Sequence, residues 1–185
     1  MKKILGFTLV ELLIVMAILG ILATLMMGGY RASQMRGRDT ARKSDLKQLS
    51  NSLELFYSDY GKYPAGSGTQ IAACPYDSTT GSGTVCVWGG TGNSSEFRDT
   101  DGSGTKTTYF KQVPTDPGGN TNYYVYEVNS VRSKFRLYAR LENTQDKNCI
   151  NGNCVNPGIS ITCGGTTLCN YAATSTNTSP TDSSF

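Results

Sequence analysis

Residues 6–11 read GFTLVE, and they open an apolar run that continues to Tyr30. The run carries a single carboxylate, Glu11. An ionised group in a lipid-like segment costs a few kcal/mol or more, so a partner or a function is expected for it. Cleavage of the bond between Gly6 and Phe7 would supply a partner, because it would free an α-amino group close to Glu11 in the sequence.

The block GFTLVE, preceded by Lys2 and Lys3, resembles the processing site of type IV pilins and type II secretion pseudopilins. The resemblance implies that residues 1–6 are a leader, and that a prepilin peptidase cuts after Gly6 and methylates Phe7. It also implies an α+β fold in which a long N-terminal helix packs on a small antiparallel sheet.

Two later segments are similar to the same family. Residues 60–64, YGKYP, resemble the junction between helix and head, and residues 113–117, VPTDP, followed by YYVY at 123–126, resemble the segment that precedes a strand. Many pilins carry a proline near the position of Gly28, and this chain does not. The cysteine-rich remainder has no counterpart in the resemblance.

For Glu11 the resemblance implies a role in assembly. Its carboxylate would pair with the Phe7 amine of a neighbouring subunit, which relieves the desolvation cost of both charges and sets the axial register. The alternative is a carboxylate that reaches the lipid headgroups, since Glu11 lies only about one turn from the new terminus.

Composition excludes several function classes. The chain has 185 residues, room for one anchored domain, and its formal charge of +3 falls to +1 when Lys2 and Lys3 leave. A near-neutral protein gives no support for nucleic-acid binding. The chain has no histidine, and no other catalytic constellation is visible, so no enzyme and no cofactor are expected.

The apolar segment 7–30 is long enough to cross a bilayer core of about 30 Å. Counting basic residues gives a conflicting topology: Lys2 and Lys3 precede the segment, whereas six basic residues follow it within 31–47. The cysteines and the resemblance both place the head outside. We expect a single-pass precursor in the cytoplasmic membrane that later joins an extracellular pilus or cell-envelope filament.

Residues 31–60 continue the helix in amphipathic form, with apolar side chains at three- and four-residue steps. These are Ala32, Met35, Leu46, Leu49, Leu53, Phe56, Tyr57 and Tyr60. Asp39, Asp45 and Glu54 are expected to share the remaining surface with the basic residues. Gly61 and Pro64 then end the helix.

Residues 61–185 are expected to form a disulfide-stapled head. Two strands, Tyr123–Val128 and Lys134–Leu141, are predicted as a hairpin around residues 129–132. Less distinct strands are predicted at 107–113 and 158–162. The Gly/Ser/Thr-rich segment 65–105 is predicted as loops and the polar tail 174–185 as flexible.

Six cysteines in an oxidising compartment indicate a disulfide framework. Asn151-Gly152 is a strong two-residue hairpin turn, which places Cys149 opposite Cys154. Cys163–Cys169 is favoured next, across Gly164-Gly165, and Cys74–Cys86 follows by elimination. Six cysteines allow 15 pairings, and only the first pair rests on a structural argument. No C-x-x-C spacing suggests a metal site.

A weak calcium candidate lies at Asp99, Asp101 and Ser103, which match the first half of a D-x-D-x-S-G loop. The position that requires a bidentate glutamate holds Phe110 instead. A solvated Asp-Gly turn is therefore favoured over a calcium site.

Two classes of function agree with these features. The first is a structural subunit of a type IV pilus-like filament serving adhesion, motility or DNA uptake, or alternatively a pseudopilin of a type II secretion or competence system. The second is a membrane-tethered ligand-binding or adhesin module. A tether needs only about 20 residues, so a helix that extends to Tyr60 favours the filament. The expected partners are copies of the chain itself, inner-membrane lipid, the prepilin peptidase and a pilus assembly platform.

Overall fold

The computed structural model describes residues 6–119 and 123–185, without the side chains of residues 25–28. The chain divides after Gly37 into two compact units. Lys2, Lys3 and the rest of the predicted leader before Gly6 lie outside the described residues.

Helix α1 spans Leu9–Tyr60, so the predicted long helix is confirmed. Among the described residues, no single helix is both long and apolar enough to span a membrane. The segments Leu9–Thr24 and Gly29–Tyr60, which meet at a bend of 41°, satisfy length and composition only together. The helix ends in a left-handed turn at Gly61, whose φ is 64° and whose N–H donates to the Tyr57 carbonyl at 2.8 Å.

Segment 65–105, predicted as loops, instead contains most of a five-stranded sheet. Its strands are β1 (Ala65–Ser67), β2 (Gln70–Asp77), β3 (Ser82–Val85), β4 (Phe97–Thr100) and β5 (Thr105–Phe110). The order is β1-β2-β4-β5, with β3 also paired to β2, and β2 and β4 run parallel. The loop prediction was wrong because it overlooked β2, which buries five apolar side chains: Ile71, Ala72, Ala73, Cys74 and Tyr76. Strands β1, β3 and β5 bury no side chain and are rich in glycine, serine and threonine, as loops are.

The predicted hairpin is confirmed as two strands of a second, antiparallel sheet. This sheet orders β6 (Val125–Val128), β7 (Phe135–Ala139) and β8 (Tyr171–Thr174), with Val128 opposite Phe135. Residues 107–110 of the predicted strand 107–113 lie in β5. The predicted strand 158–162 is wrong: only an isolated bridge joins Thr162 to Leu168 there. The disulfide between Cys163 and Cys169 closes a loop where the strand would have continued.

One face of α1 packs against both sheets. Leu46, Leu49, Leu53 and Phe56 are fully buried at the predicted helical spacing. The Phe56 ring meets the Tyr76 ring edge-on, with centroids 4.9 Å apart. The α+β class is therefore confirmed.

The tail 174–185, predicted to be flexible, instead packs across β7. The Arg136 guanidinium lies 3.7 Å from the centre of the Phe185 ring, and Ser175 is buried. Asp182 accepts hydrogen bonds from Lys134 at 3.1 Å and from Ser184. Low apolar content was misleading because the tail is held by polar and cation–π contacts.

Candidate functional site

The first turn of α1 is closed by a reciprocal pair of hydrogen bonds between Thr8 and Glu11. The Thr8 N–H and hydroxyl donate to Glu11 Oε2 at 2.9 and 2.8 Å. The Glu11 N–H donates to Thr8 Oγ1 at 3.2 Å. This is a capping box, which satisfies two backbone donors that a helix start leaves open. Its signature, Thr-x-x-Glu before an apolar run, was present in the sequence and was missed.

The cap defines the geometry around the predicted cleavage bond. Gly6 and Phe7 precede the helix in non-helical backbone, and Phe7 is 81% exposed. Exposed backbone outside regular secondary structure is a preferred site of proteolysis. The carboxylate of Glu11 is also exposed, and a carboxylate has about four acceptor positions, of which Thr8 occupies two. Glu11 can thus cap its own helix and still accept from an amine.

The apolar segment that follows exposes large hydrophobic side chains on every face. Exposure ranges from 46% at Val15 and Leu22 to 80% at Leu9. A helix that is hydrophobic all round requires cover by lipid or by other helices. Residues 9–24 are therefore a contact surface on every face.

Arg42 is the centre of a buried ionic cluster between α1 and two segments of the head. Its Nε and Nη2 donate to the two carboxylate oxygens of Asp116 at 2.8 and 2.7 Å. Its Nη1 lies 2.8 Å from both Asp39 and Glu142. Arg42 has no exposed surface and Asp39 only 2%, so the expectation that Asp39 and the basic residues share the open helix surface was wrong for this pair.

Arg38 and Lys43 form two further ion pairs beside this cluster. Arg38, Arg42 and Lys43 are called the basic ladder below. The Arg38 Nε donates to Glu142 at 2.8 Å, and the Lys43 ammonium donates to Asp146 at 2.6 Å. The hydrogen bond from Arg38, aided by Arg42, lowers the pKa of Glu142 to about 2. Burial opposes the effect at Asp146, but the bond from Lys43 still lowers its pKa.

Asp39 also holds the backbone of the segment that carries Glu142. Its two carboxylate oxygens accept from the N–H groups of Glu142 and Asn143, both at 2.8 Å. Asp116 in turn accepts from the Gly118 N–H at 2.7 Å. The two carboxylates therefore connect the head backbone to Arg42.

The three disulfides join Cys74 to Cys86, Cys149 to Cys154, and Cys163 to Cys169, the pairings favoured from the sequence. Asn151 and Gly152 both have positive φ, 55° and 69°, and the Asn153 N–H donates to the Ile150 carbonyl at 3.1 Å. The predicted tight turn is present, although no strands flank it.

The residues of the weak calcium candidate have other partners. Asp99 is buried and accepts hydrogen bonds from the Tyr60 hydroxyl and the Thr107 N–H. Asp101 is exposed and accepts from the Ser103 N–H at 3.0 Å. Within residues 6–119 and 123–185, no three metal-ligating side chains cluster. Asp101 and Ser103 form the Asp-Gly turn that the sequence favoured.

Comparison with known proteins supports the reading of the N-terminus. The family model for the prokaryotic N-terminal methylation motif matches residues 1–27. The type II secretion system core protein G of Pseudomonas aeruginosa is 30% identical over 72% of this chain and 80% of its own length.

Two pilins are similar over shorter stretches. The type IV major pilin protein PilA of Myxococcus xanthus is 40% identical over 31% of this chain and 26% of its own length. The type IV wide pilus major component PilA4 of Thermus thermophilus is 33% identical over 39% of this chain and 55% of its own length. No solved structure matches the chain. With its motif, helix and head, the chain belongs to the family of type IV pilins and type II secretion major pseudopilins.

Proposed function

We propose that the chain is a structural subunit of a helical filament and polymerises through α1 after cleavage between Gly6 and Phe7. The observation that carries this proposal is the apolar segment, which is exposed on every face and begins at a capped carboxylate. Lipid covers the segment in the precursor, and the helices of neighbouring subunits cover it in the filament. The relatives are structural subunits, which agrees with the absence of a catalytic constellation in the sequence.

Cleavage and charge pairing explain the sequence around Glu11. The peptidase removes the leader, including Gly6, and leaves an amine on Phe7, which is then methylated. The Glu11 carboxylate of one subunit pairs with the Phe7 amine of the next. In a low-dielectric filament core this pair relieves two uncompensated charges, and any other axial register leaves both unpaired.

Within the family, the comparisons favour the pseudopilus over the pilus. The type II secretion relative matches over 80% of its length, whereas the Myxococcus pilin matches over 26%. The filament would then be assembled in the cytoplasmic membrane by a secretion-type platform, with the head outside. A type IV pilus is the second candidate, because two type IV pilus proteins match the chain.

Three variants test the assembly role and separate charge from capping. Glu11→Gln removes the charge but keeps an oxygen that can accept from Thr8. Thr8→Val removes the two hydrogen bonds that the Thr8 hydroxyl makes in the capping box, but keeps the Thr8 N–H donor and the charge of Glu11. Glu11→Leu removes both the charge and the oxygen that accepts from Thr8. For each variant, the subunit held in the membrane is compared with the subunit recovered in the sheared filament fraction, and cleavage is followed by mass.

The proposal predicts normal cleavage for Glu11→Gln with at least tenfold less filament, and a smaller loss for Thr8→Val. Glu11→Leu should insert most easily and assemble as poorly as Glu11→Gln. A cleaved Glu11→Leu subunit that polymerises as well as the unmodified chain would refute the charge-pairing role of Glu11. An unmodified chain that is cleaved but never recovered in the sheared filament fraction would favour the tethered binding module.

A further inference from the structure

The helix segment after the apolar run is basic, and the folded head neutralises it. Residues 31–47 contain six basic and two acidic side chains, a net charge of +4. Asp116, Glu142 and Asp146 pair with Arg42, Arg38 and Lys43 and reduce that charge to +1. Within the folded head, these three carboxylates therefore offset most of the net charge of residues 31–47.

The position of these cations is what makes the compensation matter. Arg38 lies eight residues beyond Tyr30 in the sequence, and Lys43 lies thirteen residues beyond it. Clusters of basic residues next to a membrane segment bind anionic phospholipid, with roughly fivefold stronger binding for each cation at the surface. An unpaired ladder of this kind would hold the helix against the headgroups.

We propose that Asp116, Glu142 and Asp146 are an intramolecular counter-ion set that keeps this basic ladder from the anionic phospholipid surface of the bilayer. Arg42 is fully buried, so its masking by Asp116 is permanent in the folded head. The other two pairs are partly exposed. The side chains of Arg38 and Glu142 are 35% and 28% exposed, and those of Lys43 and Asp146 are 25% and 16% exposed. These two pairs are the ones that a membrane surface can compete for.

Once the head is folded, the basic ladder no longer adds to membrane binding. The apolar segment alone then holds the subunit in the membrane. The inference rests on the membrane anchoring contained in the proposed function. It does not depend on polymerisation, because it concerns a single subunit in a bilayer.

Lysine reactivity in nanodiscs tests the masking. The full chain is placed, one subunit per disc, in phosphatidylcholine alone or with half phosphatidylglycerol. The rate at which a water-soluble reagent acylates Lys43 is read by mass spectrometry, with Lys47 as the internal reference. For the unmodified chain the Lys43 rate should agree within twofold between the two lipids.

Two variants remove the carboxylates of the exposed pairs. Asp146→Asn removes the partner of Lys43, and Asp146→Asn combined with Glu142→Gln also removes the partner of Arg38. Lys43 should then react about fivefold faster in phosphatidylcholine and return toward the unmodified rate in phosphatidylglycerol, and 0.5 M salt should abolish the lipid difference. Asp146→Glu, which keeps the charge, should behave as the unmodified chain. Glu96→Gln is the matched control, since Glu96 pairs with Lys111 in the head and makes the same charge change.

Three results would overturn the proposal. The first is that Lys43 of these variants reacts at the same rate in both lipids. The second is that inorganic phosphate protects Lys43 in phosphatidylcholine discs, which would indicate a general anion site. The third is that Lys43 is protected from acylation only when a phosphatidylcholine disc holds two subunits. This result would show that the basic ladder binds a second copy of the chain. If Asp146→Asn loses its circular dichroism, Glu142→Gln alone carries the test, read by amide exchange over residues 38–47 in the two lipids.

Discussion

Asp116 holds Arg42 through two hydrogen bonds of 2.7 and 2.8 Å, in a contact from which solvent is excluded on both sides. The pair fixes the VPTDP segment to the helix, although the two residues are 74 positions apart in the sequence. It thus explains physically why the VPTDP segment includes an aspartate.

Asp116→Asn should destabilise the head by about 3 kcal/mol, because it leaves a buried guanidinium short of one counter-charge. Glu96→Gln, which weakens the ion pairs of Glu96 with the exposed Lys111 and with Arg98, should cost less, about 1 kcal/mol or below. Urea unfolding of the two variants, followed by circular dichroism, measures the difference. Equal midpoints would show that the buried pair is not a major source of stability.

Acid should weaken the head through Glu142. Its pKa is depressed to about 2 in the folded state, so its contribution is complete above the unfolded value of about 4.5 and is lost as the pH falls through 2. The Glu142 side chain is 28% exposed, so solvent screening limits this contribution to about 1 kcal/mol. Unfolding measured between pH 5 and 2 should therefore be steeper for the unmodified chain than for Glu142→Gln. Parallel pH profiles would contradict the assignment.

The disulfides should differ in their contributions. Cys149–Cys154 spans 5 positions and Cys74–Cys86 spans 12, so replacing each pair by serine should cost roughly 2 and 3 kcal/mol respectively. Non-reducing peptide mapping should first recover these bridges. Mapping that joins Cys149 or Cys154 to Cys74 or Cys86 would overturn the turn argument.

Two glycines with open space around them should respond in opposite directions to alanine. Gly61 has φ of +64°, so Gly61→Ala should cost about 1 kcal/mol from backbone strain. Gly37 lies within α1 with nothing near its missing Cβ, so Gly37→Ala should stabilise the helix by up to about 1 kcal/mol. Thermal unfolding in detergent tests both, and shifts of the same sign would contradict the turn geometry.

The features that the sequence predicted are those with local signals. The long helix follows from its apolar and amphipathic spacing, and the β6–β7 hairpin from its aromatic and β-branched runs. Capping by Thr8 and Glu11 also has a local signal, but the carboxylate was interpreted only as a partner for another subunit.

The features that could not be predicted depend on distant contacts. Strands β1, β3 and β5 bury no side chain and form by pairing with β2 and β4, so their own residues carry little signal. The burial of Arg42 depends on Asp116 and Glu142, which reach it from far along the chain. Nothing in the helix sequence distinguishes Arg42 from its exposed neighbours, because periodicity records hydrophobicity and not paired charge.

Intact-mass measurement of subunits from purified filaments, either sheared from the cell surface or extracted from the cell envelope, tests the central claim most directly. The account predicts that this chain is a major component, with a mass that begins at Phe7 and includes one added methyl group. A filament-borne subunit that retains residues 1–6 would contradict the processing step. Absence of the chain from every filament fraction, with the cleaved protein present in the membrane, would contradict the filament function itself.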